Sequence, residues 1–272
     1  MSSDSPLSLS ASPSPSTIPQ TLWDLQVPLL ITHSGAGGPP LVTQVPRLSY
    51  LALLLPRLSS YFRLPCSSFH HEGVLLRNLA VGLLVDLYQP TLPWRLTVGD
   101  GLGWDIGDTF LNSAKEADFV RNGNAHQIMS LSKDHTTTLW NAVKDNDYQS
   151  FARVNSRLLN TSRELRNVPF RIYIPQSPDD PTASAGPDGQ AGSFKVVQSL
   201  VQPRVNERTP QTLGTALRTL LPRLFPSSRD PVLADAILHG ARVPFAAPLE
   251  ELMREAAYPD GWLCLVVRPL DV

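Results

Sequence analysis

Four lysines, at positions 115, 133, 144 and 195, stand against nineteen arginines in a chain of 272 residues. Arginine therefore carries nearly all the positive charge. Any chemistry that needs a primary amine as nucleophile has few candidates, because a guanidinium stays protonated. Lys115 has the most defined setting of the four. It lies in Asp108 to Arg121 (DTFLNSAKEADFVR), a run with neither Gly nor Pro, in which Asp108 or Thr109 can cap the first turn. Phe110, Leu111, Ala114 and Ala117 recur at helical spacing and share one face. At roughly 100° per residue Lys115 falls about 130° from the centre of that stripe, so the spacing predicts a helix that turns this amine toward solvent. Spacing alone fits a plain solubilising lysine equally well.

Other reactive constellations are missing from the sequence. No GxGxxG, GxxxxGK[ST], GxSxG or HExxH motif occurs. Six histidines, at 33, 70, 71, 126, 135 and 239, form no ligand pattern, and His70 and His71 on one strand would face opposite ways. Cys66 and Cys264 are far apart, with no CxxC and no Cys/His cluster, which argues for a reducing compartment and against structural zinc. Cys264 reads as a small core residue. Cys66, in a loop, is the better thiol candidate but has no base near it in sequence. Asp134 beside His135 reads as a capping acid next to a surface histidine. No catalytic, cofactor-binding or metal residue is assigned, and no cofactor is expected.

A formal net charge of −1 and a pI near 6.6 give no global basic field to attract nucleic acid. No run reaches the roughly 18 apolar residues of a membrane span. The opening MSSDSPLSLSASPSPS lacks the basic start and apolar block of a signal peptide. The expectation is a cytoplasmic protein that touches membranes only peripherally. Arg153, Arg157 and Arg163 would serve such contact, although a solvated helix face is the simpler reading.

The elements that must hold Lys115 follow from patterning. Residues 1–21 are Ser/Pro-rich and predict a disordered tail. Trp23 to Ile31 predicts a strand, Gly35 to Pro40 a turn, and Leu41 to Leu55 a second strand that leads into a helix with Pro56 in its first turn. Short strands are expected around Gly73 to Leu76, Val81 to Leu87 and Trp94 to Val98. This N-terminal unit spans 22–104. A helix-rich unit at 105–166 follows, with caps at Ser132 or Asp134 and at Asp147. The unit 167–272 opens with the alternating strand VPFRIYIP, followed by a flexible loop at 176–193 and a strand from Phe194. Thr209 and Pro210 are expected to start a helix carrying Leu213, Ala216, Leu217, Leu220 and Leu221. A strand at Ala236 to Val243, a helix at Leu249 to Ala257, and a central strand at Trp262 to Val267 complete it. Strand, strand, helix, strand, short helix, strand is the β-grasp, or ubiquitin-like, order, and the N-terminal unit looks like a looser copy. The chain ends RPLDV, whereas a transferred ubiquitin-like modifier ends in Gly, so these domains are expected to be recognition surfaces.

PRLSYL at 46–51, PWRLTV at 93–98, KEAD at 115–118, KDH followed by LW at 133–140, VPFRIY at 168–173, TLGTALRTLLP, ILHG and YPDGWLCLVV resemble the autophagy protein 5 family, in its filamentous-fungal form. The resemblance runs from residue 22 to 272. It implies an α+β chain with two ubiquitin-like domains flanking a helix-rich domain, acting as a non-enzymatic scaffold. The KEAD lysine, Lys115 here, would accept the C-terminal Gly of the modifier autophagy protein 12 in an isopeptide bond, with transient help from E1-like and E2-like enzymes. The conjugate would bind an N-terminal helix of autophagy protein 16. The assembly would act like an E3, promoting transfer of autophagy protein 8 to phosphatidylethanolamine at the phagophore assembly site. Pro56 departs from the family pattern and suggests a shortened helix. The resemblance assigns no individual partner-binding residues.

Overall fold

The computed structural model describes residues 17–101, 105–160, 164–176 and 194–270. Order begins earlier than the composition suggests. Helix α1 (Ile18–Asp24) is capped by the Thr17 hydroxyl, has Pro19 in its first turn, and buries Trp23. Thr17 to Thr21 thus fall outside the expected tail, and Trp23 is helical rather than the start of a strand; residues 1–16 lie outside the described residues. Strands β1 (Gln26–His33) and β2 (Leu41–Pro46) form an antiparallel hairpin. Helix α2 (Leu55–Phe62) carries Pro56 in its first turn, where no N–H is needed. Then come β3 (Ser68–His71), β4 (Val74–Leu75), α3 (Val81–Tyr88) and β5 (Trp94–Gly99). The sheet order is β2-β1-β5-β3-β4, with β1 parallel to β5.

Val81 to Leu87 is therefore a helix, not a strand. Six of the eight residues of α3 are buried, so the run is apolar around most of its circumference and has no amphipathic period to read. Gly82 lies where the helix meets Arg47. A Cβ at that position would come within 2.4 Å of the arginine side chain.

The middle of the chain folds into α4 (Ile106–Asn122), α5 (His126–Met129), α6 (Lys133–Asp145) and α7 (Tyr148–Leu159). Asp105, not Asp108 or Thr109, caps α4 by accepting the Asp108 N–H at 3.1 Å. Ser132 caps α6 and Asp147 caps α7.

The last unit comprises β6 (Phe170–Pro175), β7 (Phe194–Gln198), β8 (Arg204–Asn206), β9 (Thr209–Pro210), α8 (Leu213–Leu220), β10 (Ala234–Leu238), β11 (Ala241–Arg242), α9 (Leu249–Ala256) and β12 (Leu263–Pro269). Thr209 and Pro210 pair with β8 instead of starting a helix. Thr212 caps α8, in a reciprocal box with Thr215 that satisfies two helix-end donors. The expected strand at Ala236 to Val243 is a hairpin whose two-residue turn, His239–Gly240, has φ of 50° and 82°. Of the expected loop at 176–193, only Gln176 is described. The sheet order is β11-β10-β12-β6-β7, and β12 is central, parallel to β6 and buried on both faces over Leu263 to Val267. In both sheets the first strand pairs parallel with the last, which is the β-grasp arrangement.

Two cores hold the chain. One belongs to the first sheet, around Leu29, Ile31, Leu58, Leu84 and Trp94. The other runs from Trp23, Tyr50 and Leu83 through Phe110, Leu139 and Phe151 to Leu213, Trp262 and Leu265. The helical unit thus shares its core with the second sheet.

A polar contact fixes the first unit against the last. Arg47 and Asp86 form a buried ion pair, and the other Asp86 oxygen accepts the Gly240 N–H at 3.1 Å. Beside it, His239 Nε2 meets the Ala256 carbonyl at 2.8 Å, while Nδ1 is buried without a partner. Burial, with the Arg47 guanidinium adding to it, pushes this imidazole down to about 4, against the Ala256 bond. Because the folded-state value lies below the unfolded one, the neutral ring contributes stability above about pH 6.5 that is lost as pH falls toward 4. Burial moves the Asp86 carboxyl up, which opposes this trend, so a comparison of variants is needed to isolate the histidine. Between pH 7 and pH 5 the wild type should lose about 2 kcal/mol through this histidine. Urea unfolding of the wild type and His239→Asn should show that loss in the first only; Asn tolerates positive φ but does not titrate.

Candidate functional site

Lys115 is exposed at the middle of α4, with Nζ 3.5 Å from Asn112 Oδ1. On the opposite face Phe110, Ala114 and Ala117 are buried, as the spacing predicts. Phe119, one turn beyond the lysine on the same face, is 58% exposed. Lys133, Lys144 and Lys195 are exposed as well. Exposure by itself does not single out Lys115.

What does distinguish it is the fixing of its helix. The Ser113 hydroxyl donates to Asp260 Oδ2 at 2.7 Å, and the indole N–H of the fully buried Trp262 donates to the Ser113 carbonyl at 3.0 Å. Glu116 pairs with Arg171 of β6 at 2.7 Å. Asp260 is half-buried, and desolvation pushes its carboxyl up despite the bonds from Ser113 and the Trp262 N–H. Further along α4, buried Asp118 accepts from Asn122 and from the Ile128 N–H, joining α4 to α5. Arg121 is also buried, and desolvation lowers its pKa against the pull of Asp118 and Asp260. By contrast, Lys133 opens α6, Lys144 lies in its last turn, and Lys195 is on the edge strand β7.

A cleft of about 300 Å³ opens where α1, α7 and α9 meet. Trp23, Phe151, Met253 and Tyr258 give it an apolar lining; Asn155, Arg254 and Glu255 give it polar positions. Trp23 packs on Phe151 at 4.8 Å and on Tyr148 at 5.9 Å. Asn146 Nδ2 holds the Trp23 carbonyl at 3.2 Å. Sequence reasoning leaves these residues unassigned. Thr17 and Pro19, a cap followed by a first-turn proline, are the available signal for α1.

The remaining candidates separate cleanly. Cys66 lies in a loop but is buried, and Cys264 is buried with its thiol pushed up by desolvation, which disfavours the thiolate. Among the described residues, no group of three or more His, Cys, Asp or Glu side chains is placed to hold a metal ion. Arg153 and Arg157 are exposed on α7, and Arg163 lies outside the described residues.

Family models match in chain order: Autophagy protein ATG5, UblA domain, over residues 22–99; its alpha-helical bundle region over 105–161; its UblB domain over 167–267. The chain is 72% identical over 251 residues to Autophagy protein 5 of Chaetomium globosum, covering 92% of this chain and 88% of that one. It belongs to the autophagy protein 5 family. Autophagy-related protein 5 of Neurospora crassa is 66% identical over 268 residues, covering 96% of this chain and 74% of its own. The crystal structure of Kluyveromyces marxianus Atg5 superposes with a TM-score of 0.69 at 19% identity, covering 92% of this chain and 99% of that chain, which shows a common fold. Two ubiquitin-like domains flanking a helical bundle are thus the family architecture, and the family places the chain in autophagy. Among the described residues no helix is long and apolar enough to cross a membrane.

The seam under Lys115 has a measurable consequence. Ser113→Ala leaves an oxygen of half-buried Asp260 without its donor and should destabilise the protein by about 1–3 kcal/mol. Asn112→Ala, on the exposed face, should change stability by less than about 0.5 kcal/mol. Chemical denaturation of the two variants checks the difference.

Proposed function

We propose that this chain is a non-enzymatic scaffold whose Lys115 amine is acylated by the C-terminal Gly of autophagy protein 12, forming an isopeptide bond. The observation that carries the reading is an exposed amine at the middle of a 17-residue helix whose flanking residues, Ser113 and Glu116, are bonded to the second ubiquitin-like domain. The transfer needs little from this chain beyond presentation. E1-like and E2-like enzymes would supply the activated modifier as a thioester. The unprotonated amine attacks the carbonyl carbon, a C–N bond forms and the C–S bond breaks, and the proton the nitrogen sheds neutralises the departing thiolate, so the carrier leaves as a free thiol.

The cleft between α1, α7 and α9 suits the amphipathic N-terminal helix of autophagy protein 16, because an apolar floor with polar edges is the form of a helix-in-groove site. The assembled conjugate would act like an E3, promoting transfer of autophagy protein 8 to phosphatidylethanolamine on the phagophore membrane. The chain itself would be cytoplasmic and peripherally associated there. No nucleic acid takes part. The competing reading is an adaptor that uses the same cleft without being modified, and Lys115 separates the two.

Lys115→Arg keeps the charge and removes the primary amine, so it should abolish the modifier-sized gel shift in cells; a shift that survives moves the acceptor elsewhere. Ala152→Trp places a large ring in the cleft from a partly exposed position on α7. It should weaken binding of a synthetic autophagy protein 16 N-terminal helix by more than about tenfold, the scale of 1.4 kcal/mol, with the melting temperature little changed. Calorimetric affinity equal to wild type would remove the cleft from consideration.

A further inference from the structure

We infer that Arg171 is a positioning residue for acylation of Lys115, an inference that rests on the acceptor reading above. Arg171 lies on β6, and its guanidinium makes three hydrogen bonds to two other elements, β7 and α4. Nε donates to Gln198 Oε1 on β7 at 2.9 Å, Nη2 to Glu116 Oε2 at 2.7 Å, and Nη1 to Ser113 Oγ at 3.4 Å. The guanidinium carbon stands 3.6 Å from the ring centre of Trp262, whose indole N–H holds the Ser113 carbonyl. One rigid fork therefore grips α4 at residues on either side of Lys115 and references both to the second sheet.

The Glu116 side chain is 61% exposed. An ion pair that open to water contributes little to stability. Its contribution is rotational: with Ser113 and Glu116 both tied to β6, α4 cannot turn about its own axis. The amine sits at a radius of about 5–6 Å, so a turn of about 10° would shift it by about 1 Å. A misplacement of that size is enough to cost about a hundredfold in a transfer step. Arg171 touches none of the reacting atoms, and lysine cannot replace it, having neither the planar fork nor the flat face that lies on Trp262.

The test uses the purified full chain and the E2-like enzyme charged with autophagy protein 12, in single-turnover conjugation. Arg171→Lys and Glu116→Gln should each lower the maximal rate by about ten- to a hundredfold, with the half-saturating carrier concentration changed by less than about twofold. The double variant should be no slower than the worse single one, because both remove the same restraint. Acetylation of Lys115 by sulfo-NHS acetate, followed by peptide mass mapping, should proceed at the wild-type rate in every variant, since an exposed amine needs no orientation toward a small reagent. Wild-type conjugation rates in Arg171→Lys, with Lys115→Arg inactive, would overturn the positioning role and leave the acceptor reading standing. A parallel loss of small-reagent acetylation would overturn it too, by showing that the amine is no longer presented at all. Conjugation that persists in Lys115→Arg removes the acceptor reading itself.

Discussion

A carboxylate drawn partly out of water needs donors for its oxygens, and half-buried Asp260 imposes that condition where the helical bundle meets the second ubiquitin-like domain. Ser113 supplies one donor from α4 and the Trp262 backbone supplies another from the residue before β12. The indole of Trp262 then returns a bond to the Ser113 carbonyl. These bonds are directional, whereas the apolar burial of Phe110, Ala114 and Ala117 around them is not. Burial brings α4 to the sheet; the polar seam sets its height. The continuous core from Phe110 to Leu265 follows from that contact, which is why bundle and second sheet behave as one packed body.

The first ubiquitin-like domain is joined by a different device. It keeps a private core around Leu29, Leu58 and Trp94, and so does not depend on its neighbours for most of its burial. Its docking adds Tyr50 and Leu83 to the shared core and relies on the Arg47–Asp86 pair reaching the Gly240 N–H. A buried pair of this kind is a weak source of net stability, because desolvation cancels much of the Coulombic gain. It is an effective source of register: the turn at His239–Gly240 can present its N–H only with both residues at positive φ. The cleft beside α1 exists because this docking leaves α1, α7 and α9 side by side without closing the space between them.

How much of this is legible in sequence depends on whether the signal is local. The α4 stripe, the Asp147 cap and the apolar β12 all carry their own period or cap, and each is readable. So is the β-grasp order, because strand and helix signals alternate along the chain. Val81 to Tyr88 reads as a strand because burial on nearly all sides erases the helical period. Thr209 looks like a cap because a Thr-Pro pair commonly precedes a helix, but Thr212 with Thr215 offers a reciprocal pair and takes the position. The contacts Arg171–Glu116, Ser113–Asp260 and Asp86–Gly240 join residues 55, 147 and 154 positions apart, and nothing in local patterning marks them.

The candidate site sits on the far side of that division. Lys115 stands out in sequence through its helix and the scarcity of lysine, yet by exposure it is indistinguishable from the other three lysines. Nor is any acid or base bonded to its amine beyond the Asn112 amide at 3.5 Å. A nucleophile handed an already activated acyl group requires no local activation; it requires a fixed place in space. On the proposed acceptor reading, half-buried Asp260 and the buried Trp262 indole supply that place by bonding Ser113 in the turn that bears the amine. On that reading stability and presentation rest on the same few bonds, and an acceptor position arises from residues that take no part in the chemistry.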